Sequence, residues 1–258
     1  MNSILTKKKP EKFLTKPLKS NAGRNFSGQI TVRHRGKGVK RLYRLVDFGQ
    51  EKINMTGRII AIEYDPNRTA FLALVEYNDS SKRYILAPNG LKTGDKIICA
   101  PQAEIKTGNR MMLKNIPVGT EVYNIEIEPD KGAKMVRSAG AAARIMAHEN
   151  KFTQLEMPSK EIRRVKSECF ATIGQCSHAE YRFENKNKAG SRRLKGWRPC
   201  VRGSAMNPCD HPHGGGEGRT SIGLRYPKTP WGKPALGVKT RSKNKWTNKM
   251  IVKRRHKN

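Results

Sequence analysis

GRIIAIEYDPNRTAFLALVEYNDSSKRYIL occupies residues 57–86. GRIIAIEY (57–64), AFLALVEY (70–77) and KRYIL (82–86) are short runs rich in β-branched and aromatic residues, separated by DPNR and NDSS. Pro, Asn, Asp and Ser supply turn conformations, so each run reads as a strand and each spacer as a tight connection. DKIIC (95–99) follows across PNG and KTGD and adds a fourth strand. The alternation in IIAIEY is imperfect, as expected for a strand close to a barrel core.

Downstream, EVYNIEIE (121–128), FTQLE (152–156), IRRVKSE (162–168) and CFATI (169–173) form a second set. The break falls near MLKNIPVG (112–119), where Pro117 and Gly119 interrupt the pattern. Two groups of short, regularly spaced strands predict two small antiparallel barrels. AGAAARIMA (139–147) fits a short helix or a small-residue strand packed against another backbone, and periodicity does not separate them. There is no internal repeat of 20–50 residues.

The 258-residue chain is 36% hydrophobic and carries a formal net charge of +32. A compact domain repels itself at that charge, so a polyanionic partner is implied, nucleic acid ahead of an anionic membrane. No apolar run approaches the roughly 18 residues of a spanning helix. Gly and Pro break the basic stretches, which disfavours a long amphipathic helix on a membrane surface. Residues 1–50 hold 13 Lys/Arg against 2 Asp/Glu, residues 51–185 hold 20 against 17, and residues 186–258 hold 20 against 2. A nearly balanced middle is thus flanked by two basic arms. The start, MNSILTKKKPEKFLTKPLK, reads as a basic tail rather than a cleaved presequence, since it lacks Arg and is interrupted by Pro10 and Pro17. Asn25-Phe26-Ser27 then matches a glycosylation sequon by chance. Five cysteines at wide spacing, with no C-x-x-C, disfavour a disulfide framework and suggest a reducing compartment.

The C-terminal arm is rich in Gly and Pro and poor in aliphatics, too little apolar area to offset its ordering entropy. It reads either as a solvated tail or as a segment that takes one shape against a partner. Trp197, Trp231 and Trp246 and its non-repetitive sequence favour the second. Within it, MNPCDHPHGGGEGR (206–219) admits three readings. On an extended backbone Cys209, His211 and His213 would share one side and could hold zinc, but the spacing is not that of common zinc motifs. Cys209 beside His211 could form a nucleophile and base, yet neighbouring residues point opposite ways. The favoured reading is a backbone shape: His-Pro-His as an extended turn, Gly214, Gly215 and Gly216 allowing close approach to RNA, and Arg202 and Arg219 as phosphate clamps.

The whole set of ordered motifs resembles the ribosomal protein L-two family of the large subunit, also called universal uL-two. The resemblance spans about residues 23–257. It rests on GRNFSGQITVRHRGKGVKRLYRLVDF (23–48), IEYDPNR (62–68), RYILAPNGLKTGD (83–95), NIPVGTEVYNIE (115–126), MVRSAGAAA (135–143), RPCVRGSAMNPCDHPHGGGEGR (198–219), TPWGKPALG (229–237) and IVKRR (251–255). It implies a mostly β chain: a basic N-terminal arm (1–27), an OB-fold RNA-binding domain (28–110), an SH3-like barrel (111–185) and a basic Gly/Pro-rich rRNA-binding extension (186–258). It further implies a primary rRNA binder near the peptidyl-transferase region that supports subunit association, tRNA binding and peptide-bond formation. The implied partners are large-subunit rRNA, other large-subunit proteins and the small subunit across a bridge, with no membrane. No intrinsic cofactor or protein metal site is implied, only magnesium that accompanies rRNA, and no enzyme activity. One family histidine has been suggested to act catalytically, and it corresponds to His211. A histidine among phosphates favours its protonated form, which suits a clamp better than a base.

Several positions depart from the family pattern. Lys37 and Val39 stand where Gly and His are usual, Cys200 and Cys209 where Thr and Val are usual, and Lys160 where a turn glycine is usual. TPWGKPALG resembles organellar versions, and 30 Lys against 23 Arg fits an A+T-rich gene, which points to a mitochondrial ribosome ahead of a plastid or bacterial one. The expected RNA contacts are Arg24, Arg33, His34, Arg35, Lys40, Arg41, Arg44, Arg68 and Arg137 in the first half. In the arm they are Arg198, Arg202, His211, His213, Gly214, Gly215, Gly216, Arg219, Lys239, Arg241, Arg254 and Arg255. Tyr43 and Tyr84 read as base stackers or core. Trp197 and Trp231 read as local packing anchors. The runner-up function is an RNA-binding scaffold outside the ribosome, and an enzyme using Cys209 and His211 comes third.

Overall fold

The computed structural model describes residues 4–7, 9–184 and 188–255. Residues 1–3 and 8 of the basic start, 185–187 at the expected junction of the extension and 256–258 lie outside the described residues. The strands in chain order are β1 (Thr15–Pro17), β2 (Leu42–Arg44), β3 (Thr56–Glu63), β4 (Leu72–Tyr77), β5 (Lys82–Leu86), β6 (Lys96–Ile98), β7 (Arg110–Met112) and β8 (Glu121–Tyr123). They continue as β9 (Ile125–Glu126), β10 (Ala133–Met135), β11 (Ala143–Glu149), β12 (Phe152–Glu156), β13 (Ile162–Lys166), β14 (Phe170–Ile173) and β15 (Ile251–Lys253). One short helix, α1 (Ala189–Leu194), lies in the C-terminal arm. The chain divides into two compact units. The first comprises Met1–Leu18, Arg41–Asn185 and Thr247–Asn258, and the second comprises Lys19–Lys40 and Lys186–Trp246.

The first unit is antiparallel β throughout its named sheets. The four strands read from GRIIAIEY, AFLALVEY, KRYIL and DKIIC form one sheet, in the order β5-β4-β3-β6, and a seven-stranded sheet runs β15-β13-β12-β11-β8-β14-β7. Strand pairing closes neither into a ring among the described residues. β4 is central and buried on both faces: Leu72, Ala73, Leu74 and Val75 are at most 1% exposed. Ala73 and Val75 pack with Ile59, Ile62, Phe71, Ile85 and Ile97, while Leu72 and Leu74 pack with Tyr84, Leu86, Tyr123 and Cys176. Tyr123 Oη donates to the Leu86 carbonyl at 3.1 Å, so the second core layer joins the two sheets. Each fully buried aliphatic or Phe side chain contributes roughly 1.5–3 kcal/mol, so these layers stabilise the fold together with a third cluster around Met111, Val122, Ile145, Leu155 and Val165.

Local chemistry explains the departures from simple strands. The imperfect alternation in β3 is a bulge: Ile59 pairs with Val75 and Ala61 with Leu74, leaving Ile60 as the extra residue turned outward. EVYNIEIE is not one strand. Asn124 takes φ +51° between β8 and β9, and its N–H donates to the Val136 carbonyl at 2.8 Å. Of the ambiguous AGAAARIMA, residues 143–147 belong to strand β11, held between β8 and β12, while 139–142 are turn and irregular backbone. Its small residues also serve the second reading: a Cβ at Gly140 would lie 2.8 Å from Ala179 Cα. β7, β10 and β15 were not legible as strands. β15 lies within the arm yet pairs with β13, Ile162 opposite Lys253 and Arg163 opposite Ile251.

One buried ion pair braces the larger sheet. Arg110, 0% exposed, reaches Glu126 with Nη2···Oε1 at 2.8 Å and donates Nη1 to the Asn124 carbonyl at 2.7 Å. Glu126 Oε2 accepts the Phe170 N–H at 3.1 Å. Such a pair gains little over a hydrophobic substitute, but losing one partner strands a charge in low dielectric.

The second unit contrasts with the first. Among its described residues none belongs to the buried hydrophobic core, whose members run from Ile59 to Cys176. Its shape rests on backbone bonds, glycine contacts and cation–π pairs.

Candidate nucleic-acid interface

Residues 34–39 and 194–198 lie side by side in the second unit. The Gly36 N–H donates to Gly196 O, Val39 N–H to Leu194 O, and Arg198 N–H to His34 O, at 2.9, 2.9 and 3.1 Å. Gly38 makes this approach feasible: it takes φ +67°, and a Cβ there would sit 2.6 Å from Leu194 O. Gly38 carries the left-handed conformation in the HRGKG turn, so Lys37 replaces a glycine without meeting that need. His34 itself takes φ +59° and donates Nδ1–H to Pro199 O at 3.0 Å, which fixes its tautomer. Cys200 Sγ lies 3.7 Å from its Nε2.

This ladder gathers positive charge. Arg35 stacks on Trp197 with Cζ 3.7 Å from the ring centre, and Arg192 approaches the same ring at 5.6 Å. Arg24, Arg33, His34, Arg35 and Arg198 line a cavity of about 480 Å³, with Ala22, Ile30, Val32 and Gly36 and no carboxylate. Four arginines lining one cavity without a carboxylate make its surroundings positive, and the guanidinium fork suits phosphate oxygens. Trp197 is thus a packing anchor. Trp231 is 74% exposed, with Arg33 5.3 Å from its ring, so it anchors little of the fold.

The Gly-rich loop folds differently from the extended turn expected of it. The Asp210 N–H donates to Asn207 O at 3.0 Å and Gly214 N–H to His211 O at 2.8 Å, so the His-Pro-His segment is coiled. His211 is 8% exposed, and its Nδ1 accepts the His213 N–H at 3.0 Å. His213 Nε2 accepts the Lys228 N–H at 2.9 Å. Each imidazole thus offers a lone pair to a backbone N–H, a role that a protonated charge clamp cannot fill at the same nitrogen. The glycines meet protein. A Cβ at Gly214 would sit 2.2 Å from Asn207 O, at Gly215 2.9 Å from Pro208 Cγ and at Gly216 2.1 Å from Thr220 Cγ2. Gly203, in the same stretch, is the floor under the His211 ring, 2.5 Å from its Cε1 to an added Cβ. Among the described residues no group of three His, Cys, Asp or Glu could hold a metal ion. Cys200 and Cys209 are free and exposed.

Lys40, Arg202, Arg219, Lys239 and Arg241 are exposed in the second unit, and Arg254 and Arg255 follow β15 at the surface of the first. Arg41, partly buried, donates to Pro66 O at 3.4 Å. Arg68 and Arg137 flank Phe48 at 5.1 and 4.4 Å, and Arg68 Nε is 2.9 Å from Asp65 Oδ2. Burial first, and the Arg68 charge second, hold the Arg137 pKa below the ordinary arginine value. Arg44 is turned inward, 7% exposed, with Asp65 at 3.9 Å and Leu42 O at 3.1 Å. It supports the fold rather than reaching outward. Tyr84, 0% exposed, is core: its Oη donates to Glu63 Oε2 and accepts the Glu11 N–H, both at 2.8 Å. Tyr43 is partly buried, with the Arg68 guanidinium 5.7 Å from its ring. Sequence reasoning passed over Phe26 and Arg192. The available signal was an aromatic inside a turn-forming GRNFSGQ run and a second arginine five residues before Trp197.

No helix among the described residues is long and apolar enough to cross a membrane. Two family models match the chain. Ribosomal Proteins L2, RNA binding N-terminal domain, covers residues 11–99, and Ribosomal Proteins L2, C-terminal domain, covers residues 106–232.

Proposed function

Because the chain belongs to the ribosomal protein L2 family, RNA-binding structural proteins of the large ribosomal subunit with an OB-fold domain followed by an SH3-like domain, we propose that it is a primary rRNA binder seated near the peptidyl-transferase region. There it supports subunit association, tRNA placement and peptide-bond formation without itself being an enzyme. Its partners are large-subunit rRNA, neighbouring large-subunit proteins and the small subunit across a bridge. The observation that carries this reading is the second unit, which has no apolar core among its described residues. Six Lys/Arg in Lys19–Lys40 and fifteen in Lys186–Trp246 are set against Asp210 and Glu217 alone. Such a unit reaches full stability only when phosphates neutralise it.

In this reading the domain limits stay at 1–27, 28–110, 111–185 and 186–258. Phosphates are held by Arg24, Arg33, Arg35, Lys40, Arg198, Arg202, Arg219, Lys239, Arg241, Arg254 and Arg255, with Arg41, Arg68 and Arg137 at the edge of the sheets. His34, His211, His213 and the three glycines give the backbone its shape, and His211 contributes to peptidyl transfer through that shape rather than as a base. TPWGKPALG and the lysine-rich composition support a mitochondrial ribosome as the compartment.

The test is binding to a large-subunit rRNA fragment and to scrambled RNA of equal length across a salt series. Nonspecific affinity with roughly 6–10 phosphate contacts falls by about 10³–10⁵ between about 50 and 200 mM salt. The rRNA fragment is expected to keep its preference at high salt. If both RNAs fall together, the chain is a polycation with no site, and the scaffold outside the ribosome becomes the better reading.

A further inference from the structure

Residues 24–30 form a small hairpin whose tip has no role in the protein's own packing. Arg24 and Ile30 pair across its base as an antiparallel bridge. Asn25 N–H donates to Gln29 O at 2.9 Å and Gly28 N–H to Asn25 O at 3.1 Å. The Asn25 side chain closes the turn from inside, its Oδ1 accepting from Gln29 N–H at 2.9 Å and from Ser27 Oγ–H at 2.8 Å. Arg24 Nη1 donates to Gly28 O at 2.7 Å. On this braced loop Phe26 is 103% exposed, so nothing in the described chain covers its ring.

An aromatic ring left wholly in water adds nothing to folding. Presented on a loop already held in one shape, it can bind with little further loss of entropy. The surroundings set what fits over it. Lys19–Lys40 holds six Lys/Arg and no acid. Arg24 and Ile30, the base of the hairpin, also line the cavity walled by Arg33, Arg35 and Arg198. A π-face beside clustered guanidiniums matches an unpaired nucleotide, whose base stacks while its flanking phosphates take the charge-assisted bonds.

We propose that Phe26 stacks on an unpaired base of bound RNA, with Arg24, Arg33 and Arg35 holding the phosphates on either side. The inference rests on the RNA-binding reading above and adds a contact that no charge supplies. Full exposure makes Phe26 substitutable without harm to the fold, which equal melting temperatures check. The probe is an RNA stem carrying one bulged adenosine, with the same stem fully paired as the control, titrated with the full-length chain. Phe26→Leu should weaken binding to the bulged stem by about tenfold or more. It should leave the paired stem and the salt dependence unchanged, and Phe26→Tyr should bind like the parent.

Equal affinity of parent and Phe26→Leu for the bulged stem overturns the proposal. So does an equal loss in Phe26→Tyr, or a defect confined to contacts with other proteins. The salt-series comparison separates the two readings. If the parent prefers rRNA over scrambled RNA and Phe26→Leu changes nothing, stacking alone fails. If the parent shows no such preference while Phe26→Leu still loses the bulge, the ribosomal reading fails and stacking stands.

Discussion

Lys160 stands at φ +65° in the turn between β12 and β13, closed by Met157 N–H to Glu161 O and Lys160 N–H to Met157 O at 2.9 and 2.8 Å. A side chain in the left-handed region costs roughly 1–2 kcal/mol, while glycine in the unfolded chain costs about 0.5–1 kcal/mol. Its ion pair with Glu156 is largely exposed and gives little back. Lys160→Gly is expected to stabilise the protein by about 1 kcal/mol, seen as a higher urea midpoint at unchanged slope. This position stood out in advance only through the family resemblance, which carries a turn glycine there. The roles of His211 and His213 were not legible. Their residue types suggested ligands or clamps, and only the folded loop reveals that one nitrogen of each ring accepts a backbone N–H, two residues away for His211 and fifteen for His213. Arg44 failed for a similar reason: its charge is plain in the sequence, but Asp65, which turns it inward, is twenty-one residues distant.

At the scale of elements, Glu126→Gln tests the pair that braces β7 against β9. Glutamine keeps an acceptor for the Phe170 N–H but brings no charge to Arg110, which is 0% exposed. The expected loss is about 3–5 kcal/mol, measured by thermal or urea unfolding. Replacing both residues by apolar ones of similar volume should recover most of it, and a full loss in the double variant would show that the surrounding bonds matter more than the charges. The same region marks where strand prediction ran out. β3, β4 and β5 declare themselves through dense apolar runs between turn residues. β7 reads RMM and β15 reads IVK, three residues each, and short edge-type segments gain their state from the neighbour they pair with rather than from propensity. Asn124 breaks EVYNIEIE because asparagine tolerates the left-handed region, a weak signal inside a strong apolar pattern.

Over the whole molecule, the division between a packed first unit and a second one with no buried apolar core among its described residues predicts how the five thiols behave. Cys99, Cys169 and Cys176 are buried, and burial pushes their thiols up to about 11, about 12 and about 12 respectively. Cys200 and Cys209 are exposed in the second unit. A thiol reagent at neutral pH is expected to modify two cysteines in the native chain and all five after unfolding. Rapid reaction of a third would show that the sheet core opens readily.

The connectivity has a consequence of its own. β1 and β2 pair from Thr15 opposite Arg44 to Pro17 opposite Leu42, at the two ends of the first basic excursion. The second excursion leaves after β14 and returns to pair β15 with β13. Both excursions are therefore handles, each joined at its two ends to paired strands. A handle cannot be pushed through a finished knot of RNA, because it has no free tip to lead the way. For a nucleic acid to enclose such a handle, it must fold around it, or the last rivet must close late, once the polymer already lies inside.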